Sequence, residues 1–221
     1  MPNWCDNQVT ITGPNSVIDK IEKIVKEESN NVENGLLHFF HPMPNALKDT
    51  VAGPQPKTKK EKLEKARLNV EYGASNWYDW RTTNWGTKWE LCEFYGVDRQ
   101  YLSEQSEGES TISFAFSSAW APPIGAYEQF LTDNENCSLK AYYYEGGCDF
   151  MGEWDNGQDN CYAPSDYKST DDFWQDGIGS TLDDIFNITE SMAEYEAEQE
   201  AEKEDVHEYT KGKAMNIGEE I

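Results

Sequence analysis

The sequence predicts an α+β protein of the ferredoxin-like, split βαβ kind, with helices on one face of an antiparallel sheet. Three observations lead there. Gln8 to Thr12 alternates polar and β-branched apolar residues, and Val17, Ile18, Ile21, Ile24 and Val25 then recur at helical spacing. Ser110 to Phe116 alternates again, with Ile112, Phe114 and Phe116 facing one way, and Pro122-Pro123 leads into a second apolar stripe of Ile124, Tyr127, Phe130 and Leu131. Leu139 to Tyr144 and Cys148 to Trp154 read as two strands joined at Gly146-Gly147.

The remaining elements follow from local chemistry. Gly13-Pro14 ends the first strand, and Ser16 with Asp19 three residues on resembles a capping box for the helix that runs to about residue 29. Asn30 to Gly35 is turn-forming. Leu36 to Phe40 is short, apolar and aromatic, and Pro42 and Pro44 forbid its continuation, so it is expected to be the second strand. Residues 45–109 are expected to be a Trp-rich insertion packed on the sheet: Gly53-Pro54-Gln55-Pro56 is a loop, and Lys57 to Leu68 is a lysine-rich helix. The ferredoxin-like domain then covers 1–155. Residues 156–221 form an acidic extension ending in a Glu-rich helix or tail, because Ser191 to Tyr209 has high helix propensity and almost no apolar stripe.

The 221 residues carry 42 acidic groups against 18 Lys plus Arg, a formal charge of -24. The charge is uneven: -6 over residues 1–144, -8 over 145–180 and -10 over 181–221. A field of that sign repels phosphate and anionic lipid, which argues against direct binding to nucleic acid or membrane and makes a basic protein surface the expected partner. No apolar run approaches the roughly 20 residues of a membrane helix. Five scattered Cys without a C-x-x-C pair, and no apolar leader, suggest reduced thiols in a cytoplasm, where Asn136-Cys137-Ser138 and Asn187-Ile188-Thr189 have no meaning as glycan sites.

Several residue groups could carry chemistry. Trp77, Trp80, Trp85 and Trp89, with Arg81 and Lys88 beside them, could stack a base and hold its phosphate; Arg81, Trp85, Lys88 and Trp89 are the candidate ligand residues. The competing expectation is that these rings are core. His38 and His41, three apart on a strand, face opposite ways, with no Cys at zinc-finger spacing. Asp172, Asp176, Gly177 and Asp183 can be laid on a calcium-loop pattern with Trp174 at a ligand position, and Asp155 to Asp159 is a similar partial match; each is more readily a turn. No nucleophile elbow or P-loop is present, so the expectation is a protein without catalytic residues, cofactor or metal. The Glu run is patterned: Glu190, Glu194, Glu198 and Glu202 form one i, i+4 row, and Glu196, Glu200, Glu204 and Glu208 another. At about 1.5 Å rise per residue, successive carboxylates in a row lie about 6 Å apart, close to the spacing of phosphates along a strand.

Met1-Pro2-Asn3-Trp4-Cys5-Asp6-Asn7, Pro42-Met43-Pro44, Asn84-Trp85-Gly86-Thr87-Lys88-Trp89 and Ala119-Trp120-Ala121-Pro122-Pro123 occur in that order along residues 1–155. Together they resemble the Api92-like (YubB-like) family carried by bacteriophages and conjugative plasmids. The resemblance implies a ferredoxin-like domain and a mobile-element origin, and brings no activity or catalytic residues with it. Charge and origin combined lead to an expected function: a non-enzymatic protein in the host cytoplasm that inhibits a host nucleic-acid-binding or defence protein through a DNA-mimic-like surface made by the Glu rows. A nucleotide or small-ligand binder using the Trp-rich stretch, and a structural or assembly protein, are the alternatives.

Overall fold

A computed structural model describes residues 3–27, 34–53, 56–102, 108–194 and 197. The chain divides into two compact units, Met1–Tyr162 and Ala163–Ile221. In the first, strands β1 (Trp4–Pro14), β2 (Cys92–Tyr101), β3 (Glu109–Ala119), β4 (Ser138–Glu145), β5 (Phe150–Asp155) and β6 (Gln158–Tyr162) form one antiparallel sheet in the order β2-β3-β1-β4-β5-β6. The same unit holds helices α1 (Asn15–Lys26), α2 (Leu36–Phe40), α3 (Lys59–Tyr72), α4 (Trp77–Asn84) and α5 (Ile124–Asp133). The protein is therefore α+β, as expected.

Alternation along β1 sorts the two faces of the sheet. Cys5, Asn7, Val9 and Ile11 are buried on one side, and Asp6, Gln8, Thr10 and Thr12 take the other. Ile11 lies between Ile112 of β3 and Leu139 of β4, and Val9 between Phe114 and Ala141. Onto that apolar face pack Ile18, Ile21 and Val25 of α1 and Ala126, Tyr127 and Phe130 of α5, all in one cluster. Each of the larger aliphatic and aromatic side chains contributes about 1.5–3 kcal/mol by leaving water. The second face is hydroxyl-rich: Thr10 pairs with Ser113 at 2.9 Å and Thr12 with Thr111 at 2.8 Å.

The second strand is not where the sequence places it. Leu36–Phe40 is helical, and the buried Glu90 carboxylate explains why, accepting from the backbone N–H of Leu37 at 2.6 Å and of His38 at 3.3 Å at the start of that turn. The strand after α1 is β2, inside the stretch expected to be insertion. Its period of two is broken by register shifts between Cys92 and Tyr95 and between Tyr95 and Asp98, with Glu93 (φ 57°) and Gly96 (φ 64°) in left-handed conformations. His38 and His41 accordingly lie in and just after a helix, not on opposite faces of a strand.

Two caps also differ. Ser16 and Asp19 form no capping box, since Pro14 occupies the cap position and Asp19 instead takes Arg99 of β2 at 2.7 Å. Thr58 and Glu61 do form one, so α3 starts at Lys59 and runs to Gly73, whose φ of 75° ends it.

The sheet also extends past residue 155. Asn156 (φ 47°) and Gly157 (φ 98°) turn β5 into β6, Asn156 Oδ1 accepts from Leu139 N at 3.0 Å, and Asp159 accepts from the Tyr143 hydroxyl at 2.7 Å. The partial calcium match at Asp155 to Asp159 is thus a hairpin.

In the second unit, α6 (Thr170–Gln175) and α7 (Gly177–Phe186) fill the other proposed calcium loop with helix. Asp176 caps α7 through Ile178 N and accepts from Tyr167, and Asp183 accepts from Thr189 N and Oγ1. Residues 188–194 are helical, with Glu190 and Glu194 exposed. Glu196, Glu198, Glu200, Glu202 and Glu204 lie outside the described residues.

Helix α5 begins against the end of α4 with no room to spare. A Cβ at Gly125 would stand 2.5 Å from the Asn84 carbonyl oxygen and 3.0 Å from its carbon. Gly125→Ala is expected to cost about 1–3 kcal/mol through overpacking against backbone, read as a lower melting temperature.

Candidate functional site

The Trp-rich stretch divides into an inner and an outer part. Inside, Trp80 and Trp85 belong to the core, their rings 5.9 Å apart and edge to face, and Trp85 Nε1 donates to the His41 carbonyl at 2.8 Å. Arg81 is buried among them, its guanidinium 4.9 Å from the Trp77 ring and 5.0 Å from that of Trp85, with Nη1 donating to the Lys88 carbonyl at 3.4 Å. Arg81 and Trp85 are therefore structural, and the ligand role considered for them is withdrawn.

The outer part is different. Trp89 is 38% exposed and is joined there by Trp4 at 42% and Trp120 at 39%, which belong to separate sequence motifs. The rings of Trp4 and Trp89 are 6.0 Å apart. Lys88 Nζ lies 3.8 Å from the Trp89 centroid and 3.8 Å from that of Trp120.

Backbone contacts assemble this surface from three segments. Trp4 pairs with Ala119 at the end of the β1–β3 ladder, Trp120 N donates to the Asn3 carbonyl at 3.0 Å, and the buried Thr87 hydroxyl donates to the Ala119 carbonyl at 2.8 Å. Gly86 permits the close approach: its φ is 88° and a Cβ there would stand 3.0 Å from the Pro122 carbonyl oxygen. Trp120 itself has φ 75°, a left-handed conformation that costs a bulky residue on the order of 1–3 kcal/mol and is over-represented at functional sites.

A second feature lies on the polar face of the sheet. Asp6, Glu93, Asp98, Glu153 and Asp155 place carboxylates there, together with the ammonium of Lys140, which Glu153 holds at 3.2 Å. The Ser117 hydroxyl lies 3.3 Å from Asp6 and 3.4 Å from Glu93. Burial raises the Asp6 pKa, the neighbouring Glu93 charge adds to this, and the Ser117 hydrogen bond opposes both. On the apolar face, Asn7 Nδ2 donates to Ser118 Oγ and to the Cys5 carbonyl, both at 2.8 Å. Burial drives the Cys5 thiol far above its usual range, with Asp6 adding to it, so the thiol stays neutral and is no nucleophile. Among the described residues no group of His, Cys, Asp and Glu is arranged to hold a metal ion, and no helix is long and apolar enough to cross a membrane.

No family model and no curated protein matches the chain. Among solved structures, it is similar to the crystal structure of the protein api92 from Yersinia pseudotuberculosis, of DUF1281, with 12% identity and a TM-score of 0.38. The likeness covers 76% of this chain and 96% of that one.

The division of the tryptophans predicts opposite outcomes for neighbours in sequence. Trp85→Ala removes a fully buried ring and should cost about 3–5 kcal/mol, whereas Trp89→Ala should stay within about 1 kcal/mol, both read by denaturant melts. A further expectation concerns Glu90, whose pKa burial raises to about 7, against three backbone N–H donors and Arg81. The folded state then binds more protons than the unfolded one between the model-peptide value near 4.5 and 7, so this contribution is fully present below that window and lost through it as pH rises. Thermal melts across pH 4.5–7 should show a decline that Glu90→Gln flattens.

Proposed function

We propose that the protein is a non-enzymatic acidic binding protein whose carboxylate-rich surface occupies the basic face of a partner that itself binds nucleic acid. The single observation that carries this is the ordered carboxylate array on the polar sheet face. It places Asp6, Glu93, Asp98, Glu153 and Asp155 in a fixed register while Lys140 is already engaged by Glu153 and Asp155. Fixed, closely spaced charge lowers the ordering entropy lost on binding and steers a basic partner at long range. The formal charge of -24 supports the same partner chemistry and weighs against a direct nucleic-acid ligand.

The sheet order β2-β3-β1-β4, with α1 after β1 and α5 after β3, supports a ferredoxin-like core for this surface. Inhibition of a host nucleic-acid-binding or defence protein, in the cytoplasm of a phage or plasmid host, is the setting we propose for it. The Glu190 and Glu194 side chains, one helical turn apart, extend the same chemistry into the second unit.

The test is competition. Immobilised protein is loaded with the basic nucleic-acid-binding fraction of a bacterial lysate and eluted with duplex DNA, a neutral polymer or salt. Release by DNA and by salt, but not by the neutral polymer, is expected, since attraction between exposed charges is screened over about 10 Å at 0.1 M. Retention that salt and DNA leave unchanged would refute the proposal. Asp6→Asn, Glu93→Gln and Asp98→Asn together should weaken capture more than Glu194→Gln, Glu198→Gln and Glu202→Gln do; the reverse order would move the function from the sheet to the Glu rows.

A further inference from the structure

The outer aromatic surface has a property unrelated to the carboxylate array. Lys88 belongs to a protein with 42 acidic residues, yet among the described residues no carboxylate lies within 4.0 Å of its ammonium. The ammonium rests instead against two indoles at 3.8 Å each, close contact for a cation on an aromatic face. Two half-exposed indoles thus flank one positive charge, and a third, Trp4, stands beside Trp89 with its ring 6.0 Å away. Trp is enriched in the anchoring centres of protein interfaces, and a monomer gains nothing by leaving three large rings together in water.

We propose that Trp89 and Trp120, with Trp4 backing Trp89, form a cation-accepting aromatic cage, occupied in the free protein by Lys88, that takes an arginine side chain of a basic partner protein when Lys88 swings out. The resident ammonium shows that Trp89 and Trp120 accept a cation. Arginine is the better occupant, because its planar, weakly hydrated guanidinium stacks on indole faces whereas a lysine ammonium holds its water strongly. The surrounding negative charge draws in the same partner chemistry and repels the phosphate of a nucleotide, which separates this cage from a base-stacking platform. The left-handed backbone at Trp120 and the Thr87 to Ala119 hydrogen bond keep the cage in place on the end of the sheet. The choice of a basic protein as occupant rests on the function proposed above; the cage geometry does not.

The probe is a short unstructured peptide of alternating arginine and glycine, with an equally charged lysine peptide and tetramethylammonium as comparators, followed by indole fluorescence and calorimetry on the full chain. Trp89→Leu and Trp120→Leu leave the net charge unchanged and should each weaken the arginine peptide about fivefold. Lys88→Ala empties the cage and should tighten the same peptide several-fold, an increase that a poorly folded variant would not produce. The lysine peptide should bind more weakly than the arginine peptide in the wild type and lose that difference in Trp89→Leu.

Equal affinity of all variants for the arginine peptide would overturn the cage, and if that binding still falls steeply with salt the acidic-surface function stands without it. Conversely, Trp-dependent binding that ignores salt and the Asp6, Glu93 and Asp98 neutralisation would keep the cage and refute the acidic surface as the partner's site. Tetramethylammonium bound as tightly as the peptide would overturn the protein occupant in favour of a free organic cation.

Discussion

β1 is bonded along both edges, to β3 from Trp4–Ala119 to Pro14–Glu109 and to β4 from Asp6–Tyr144 to Thr12–Ser138. Because side chains alternate with a period of two, slipping either ladder by one residue would send Val9 and Ile11 to the polar face and Asp6 and Thr10 into the core. That register is the constraint on which the rest of the molecule depends. It brings Ile112, Phe114, Leu139 and Ala141 onto one side for α1 and α5 to cover, and it aligns Asp6 with Ser117 and Tyr144 on the other. It also places Trp4 opposite Ala119, and so decides where the aromatic surface is built.

Three cations of the first unit are tied into its structure. Arg99 ties β2 to α1 through Asp19 and Glu22, Arg81 is enclosed by Trp77 and Trp85, and Lys140 is held between Glu153 and Asp155. Each of these positive charges is committed to structure. What remains on the polar sheet face is negative, and what remains at the end of the sheet is aromatic around Lys88. A partner with arginines spaced to meet both would satisfy charge attraction and apolar burial together, and the two contributions separate experimentally because salt screens one and barely touches the other.

Glu90 shows how a single buried group can redirect a local preference. Leu36 to Phe40 has the composition of a strand, but its amides at Leu37 and His38 are met by the Glu90 carboxylate, and a Cβ at Gly35 would overlap that same group. With two of its first amides satisfied by one carboxylate and that of Phe39 by the Gly35 carbonyl, the five-residue segment forms a helical turn. The β-ladder they would otherwise need is already completed by β2.

The sequence by itself determined the α+β class, β1, β3, β4 and the two amphipathic helices, because period-two and period-3.6 patterns are local and half-buried elements display them directly. It determined the sign of the protein's own charge as well, since net charge needs no fold. β2 escaped it because bulges erase the alternation that marks a strand, and α2 escaped it because the acceptor that favours helix lies more than fifty residues away. Only the tertiary structure could divide the tryptophans. Trp85 and Trp89 are four residues apart in one motif, but burial depends on what the rest of the chain brings to each ring. Trp85 meets the His41 carbonyl and Trp80, whereas Trp89 meets Trp4 directly and shares the Lys88 ammonium with Trp120 at the rim of the sheet, where long-range pairing leaves them half in water.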